Sequence, residues 1–72
     1  MNSSERNVIS QVIRVELPQV DHGIEFKNED GDKFYLITLR PSKRMELDES
    51  IDVILNKLDR VGIAAEVLVD GQ

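Results

Sequence analysis

Acid–base chemistry in this chain would have to pass through His22, its one histidine, and there is no cysteine to act as nucleophile or thiolate ligand. An imidazole works as acid or base only when a partner orients it, and here serine or lysine would have to serve as nucleophile without the usual third group. The alternation Val20, His22, Ile24, Phe26 sets the ring in register with apolar residues, at the edge of a core. His22 is therefore expected to be structural. The carboxylates fall in turns and at helix ends, where solvation and capping account for them, so no catalytic residue is assigned and the chain is read as non-enzymatic.

Metal and cofactor sites are not expected either. Asn28-Glu29-Asp30-Gly31-Asp32 superficially resembles a calcium loop. With Gly31 in the sixth position, however, Phe26 takes the first and Ile37 the twelfth, where oxygen ligands are required. A polar hairpin turn is the ordinary meaning of Asp-Gly between strands. The glycines at 23, 31, 62 and 71 are too scattered for a phosphate-cradling loop.

Two charge groups remain. Arg40, Lys43 and Arg44 put three cations just ahead of a helix start, where they could hold an anion or a partner's carboxylate, or simply balance the acids that follow. Glu46, Asp48, Glu49 and Asp52 form an acidic helix start, and Glu29, Asp30 and Asp32 an acidic hairpin tip. Such surfaces could occupy a basic groove meant for nucleic acid, although they also serve simply to keep a small domain in solution.

The totals limit the possibilities. The 72 residues carry 14 acidic and 9 basic side chains, a formal charge of -5, which repels phosphate backbones and anionic lipid, so nucleic acid is not an expected direct partner. Charged residues at 32% and apolar ones at 40% suit one folded domain rather than a disordered tail. So short a chain, without disulfides, relies on close packing or on a partner. No apolar run reaches the length of a signal peptide or a membrane span, and a cytoplasmic location is expected.

The element that organises the rest is the helix from Glu46 onward. Ile51, Ile54, Leu55, Leu58 and Val61 recur at three- and four-residue spacing and make one apolar stripe. Asp48 or Ser50 is the expected cap, Lys57 and Arg60 suit the far end of the dipole, and Gly62 stops the helix. A strand follows over Ile63–Val69. Upstream, Val20 to Lys27 alternates as a half-buried strand, Asp30-Gly31 reverses the chain, and Lys33 to Arg40 is a second strand apolar on both sides, Phe34, Leu36 and Thr38 against Tyr35, Ile37 and Leu39. A strand of that kind is central and covered above and below. Residues 5–17 fit a helix through Val8, Ile9, Val12 and Ile13, with Asn2 and Glu5 spaced like a capping box and Pro18 as a stop. They also fit a strand through Ile13, Val15 and Leu17.

The expected fold is α+β, helix-strand-strand-helix-strand with a three-stranded mixed sheet; the alternative is β-β-β-α-β with residues 12–17 as a strand. The ending over Glu46–Val69, helix, Gly-Ile and strand, is similar to that of ferredoxin-like regulatory domains, whose opening strand is missing here, and the likeness implies fold alone. One helix cannot cover two faces of a sheet. Surplus apolar surface around Tyr35, Ile37, Leu39 and Leu68 is therefore expected to meet a second copy or another protein, unless the first helix covers it. The function this implies is that of a small acidic interaction or regulatory domain of bacterial or phage type, with an acidic blocker of a nucleic-acid-binding protein and an anion or small-ligand sensor as the alternatives.

Overall fold

In the computed structural model, which describes residues 3–71, the chain runs α1 (Ser3–Glu16), β1 (Asp21–Glu29), β2 (Asp32–Arg40), α2 (Asp48–Arg60) and β3 (Ala65–Val69). The helix expected near the N-terminus is present, and the strand alternative for residues 12–17 is not. Ile9, Ile13 and Leu17 recur every four residues and are all buried, whereas Val15, which the strand pattern would have placed inside, lies in solvent. The helix starts at Ser3, and the expected capping residue Asn2 lies outside the described residues. Leu17 donates its amide to the Ile13 carbonyl, and Val20 to that of Leu17, so the chain turns past Pro18 with both apolar side chains kept inside.

β1 and β2 form an antiparallel hairpin closed by Glu29 opposite Asp32. Asp30 (φ 52°) and Gly31 (φ 88°) both take the positive φ that a two-residue loop of the I′ type demands. Because that loop allows one register only, it sets His22 beside Leu39, Ile24 beside Ile37 and Phe26 beside Tyr35. β3 pairs with β2 in parallel, Ala65 beside Tyr35, Val67 beside Ile37 and Val69 beside Leu39, so the strand order is β1-β2-β3 with β2 central.

α2 is capped one residue before Asp48 and three before Ser50, the two expected caps. Its N-cap position is Leu47, whose side chain is buried in the core and cannot accept a hydrogen bond, and Asp48 is already the first helical residue. Packing has displaced capping here: a buried Leu47 holds the helix start against the sheet, and Asp48 and Glu49 act only through the dipole. The far end follows the sequence closely. Gly62 (φ 78°) gives its amide to Asp59, Ile63 gives its own to Leu58, and the side chains of Leu58 and Ile63 are both buried, which is the Schellman closure with its apolar contact. Ile63 belongs to this closure rather than to the strand.

The core corrects one expectation. β2 is central, but it is covered on one side only. Tyr35, Ile37 and Leu39 are buried in a single cluster with Ile9 and Ile13 of α1 and Ile54 and Leu58 of α2. Both helices thus lie on the same face, side by side, and Phe34, Leu36 and Thr38 on the other face are only half-buried. The molecule has two layers, one of helices and one of sheet. Among the described residues no helix is long and apolar enough to cross a membrane.

Candidate functional site

The residues singled out in the sequence are distributed by this architecture over separate places. Tyr35, Ile37 and Leu39 are 4%, 0% and 0% exposed, packed under the chain's own helices, and cannot offer a contact surface while the domain is folded. Leu68, 57% exposed, lies on the opposite face of the sheet. That face is built by the residues one step out of phase: Phe34, Leu36 and Thr38 from β2, Glu25 and Lys27 from β1, and Glu66 and Leu68 from β3. The hairpin register carried the signal that distinguishes the two faces. With Asp30-Gly31 as the loop, the partners of Phe34 and Leu36 are Lys27 and Glu25, whereas those of Tyr35 and Ile37 are Phe26 and Ile24.

Around this open face the charges are mixed. Arg40 reaches back over β1, its guanidinium within 3.8 Å of the Asp21 carboxylate and lying over Gly23, where an added Cβ would come within 2.9 Å of Nη2. Glycine at 23 thus leaves the arginine room to lie flat on the sheet. Lys27 Nζ stands 3.5 Å from Glu25 Oε1. The three cations of the basic segment do not converge: Arg40 belongs to the sheet face, while Lys43 and Arg44 are exposed in the connector ahead of α2, where Arg44 lines a concavity with Met45, Glu46, Leu47, Asp48 and Val69. Glu46, Asp48, Glu49 and Asp52 are all exposed, and the hairpin tip lies at the other end of the sheet, where Glu29 and Asp32 line a hollow with Lys33, Phe34 and Glu66.

A polar seam that the sequence did not announce joins α1 to the sheet. The Tyr35 hydroxyl donates to Glu5 Oε1 at 2.8 Å, Arg6 Nη1 donates to the Ile24 carbonyl at 3.0 Å, and Ser10 Oγ lies 3.2 Å from His22 Nε2. Burial, and next the carboxylate that accepts its proton, push the Tyr35 phenol above its ordinary value of 10.0. The phenol is therefore a neutral donor that anchors the helix. Ser10 and His22 are the types of a nucleophile and a base, but no carboxylate contact to His22 is found among the described residues, and the pair joins α1 to β1 as the other two contacts do. The signal in the sequence was the placement of Glu5, Arg6 and Ser10 on one helix, too general to specify partners. Among the described residues no group of three His, Asp or Glu side chains is placed to share a metal ion.

Comparison with protein-family models, with curated proteins and with solved structures gives no match to this chain.

Proposed function

We propose that this chain is a non-enzymatic protein-interaction domain that associates with a second copy of itself through the open face of its sheet. The observation that carries the reading is the central strand: Phe34 and Leu36 alternate with fully buried residues and are half-buried themselves, and among the described residues no helix or strand lies over them. With Leu68 on β3 they form an apolar strip, and the side chains around it carry both signs, Lys27 and Arg40 against Glu25 and Glu66. These charges are already paired within the chain, Lys27 with Glu25 and Arg40 with Asp21, so a two-fold related copy meets an apolar centre inside a largely neutralised rim.

The same geometry limits the strength. Three strands about 4.8 Å apart and about 17–30 Å long offer a patch of roughly 350 Å², well under the roughly 800 Å² per partner of a standard interface. The dimer is accordingly a weak one, populated at high protein concentration. Sedimentation equilibrium over a concentration series tests this. Self-association is expected in the natural chain and is lost in Leu36→Lys, while unfolding of the dilute monomer is little changed. A natural chain that stays monomeric at the highest concentrations refutes the reading.

A further inference from the structure

The two edges of the sheet are finished differently. Along β1 the outward carbonyl of Ile24 is taken by the Arg6 guanidinium, so α1 covers the middle of that side. Among the described residues the edge at β3 has no such guard. The amide of Tyr35 bonds the Ala64 carbonyl at 2.9 Å, and the amide of Asp70 bonds that of Leu39 at 2.8 Å. Backbone groups alternate sideways along a strand, so Glu66 and Leu68 also turn theirs to β2, and Ala65, Val67 and Val69 turn theirs outward. No strand lies beyond β3, and among the described residues no backbone partner meets these groups.

On the helix side this edge is lined by one stripe of α2. Asp48, Asp52, Leu55 and Asp59 follow one another at spacings of four, three and four, which brings them onto one flank of the helix. Two concavities locate that flank: Asp48 and Glu46 share one with Val69 at the end of β3, where Arg44 is the one cation, and Asp59 and Leu55 share another with Ala64 and Ala65 at its start. The opposite flank faces α1, where Lys57 bonds Glu16 at 2.7 Å. The three aspartates are exposed and Leu55 is half-buried. On the strand itself Glu66 and Asp70 are exposed as well, so the unpaired ladder runs between carboxylates.

The geometry points to β3 as a docking edge for an extended, lysine- or arginine-rich segment of a partner protein, which adds as a fourth strand beside α2. Its backbone completes the ladder of Ala65, Val67 and Val69. Its alternate side chains reach Asp48, Asp52 and Asp59, with an apolar residue against Leu55. A second copy is a poor occupant, because it would bring its own carboxylates against these. Charge thus selects the partner, and the backbone provides the register. This surface is separate from the sheet face, so either contact can fail alone.

A synthetic peptide whose alternate positions read lysine, lysine, valine, lysine, with threonine between them, is the probe, and amide signals of the labelled full chain are the readout. Saturable shifts centred on Ala65, Val67 and Val69, with slowed hydrogen exchange at those amides, are expected. Asp52→Lys with Asp59→Lys, exposed changes that leave the core alone, should weaken binding about tenfold at low salt. N-methylation of alternate peptide nitrogens should abolish binding with the charge unchanged. Absence of binding, shifts spread over the acidic surface, or affinity indifferent to N-methylation would each overturn the proposal, the last two by showing adhesion of charge without strand addition. Loss of self-association in Leu36→Lys, measured without peptide, reports on the sheet face alone.

Discussion

Ile37 and Leu36 are neighbours on one strand, similar in size, and they face opposite sides of the sheet. Truncating each to alanine therefore isolates what the helices cover. Ile37 is wholly buried between the two helices and the sheet, in a cluster of isoleucine and leucine side chains that has no loose end to collapse into the space left. For such sites the loss of transfer free energy plus the cavity term comes to about 3–4 kcal/mol. A domain of 72 residues has total stability of about 4–11 kcal/mol, so Ile37→Ala removes about a quarter of it or more and lowers the melting temperature by roughly 12–32 °C. Leu36 is half-buried, between Glu25 and Glu66 in register with no helix over it, and its truncation in the dilute monomer should cost about 1–2 kcal/mol. Urea unfolding of both variants at low micromolar concentration, followed by circular dichroism, gives the comparison, and unchanged slopes would confirm that compactness is not altered. Equal costs would refute the two-layer arrangement, since Leu36 would then have to be covered too. A Leu36→Ala cost that grows with protein concentration is the thermodynamic image of the sheet-face dimer.

Tyr35→Phe removes the hydrogen bond to Glu5 and should cost about 1–2 kcal/mol. Because the folded phenol holds its proton above the ordinary value of 10.0, its contribution is complete below that pH and is lost as pH rises toward the folded value; Tyr35→Phe should flatten this alkaline fall in a pH series of urea midpoints. Gly62→Ala has open space for its Cβ but keeps φ at 78°, so about 1 kcal/mol of backbone strain should appear in unfolding, and Gly62→Asn should recover part of it. Inorganic phosphate should leave the amides of Ser42–Glu46 unmoved, because Arg40 lies over β1 while Lys43 and Arg44 stay in the connector; a saturable shift there would restore the anion-sensor reading.

The most local features of this fold were legible in the sequence. The spacing of Ile51, Ile54 and Leu58, with Gly62 after it, specified a helix, its stop and the strand beyond, because those are contacts among residues within five positions of one another. Asp30-Gly31 specified not only a hairpin but its register, and with it which side chains of β1 and β2 share a face. Two templates competed for residues 5–17, and burial of Ile9, Ile13 and Leu17 decided for the helix at the expense of Val15. Leu47 in place of Asp48 at the cap is the same conflict won by packing.

What only the tertiary structure decided was the side on which α1 lies. Alternation says which residues of β2 go together, but a strand apolar on both faces offers two surfaces, and nothing within α1 records which of them it will meet. Ile9 and Ile13 join Ile54 and Leu58 over Tyr35, Ile37 and Leu39, where Ile24 and Val67 on the flanking strands widen the apolar surface. Across from Phe34 and Leu36 stand Lys27, Glu25 and Glu66, which are better left in water. The helices gather where burial strands no charge, and that choice depends on three strands being in register at once, a condition no single stretch of sequence contains.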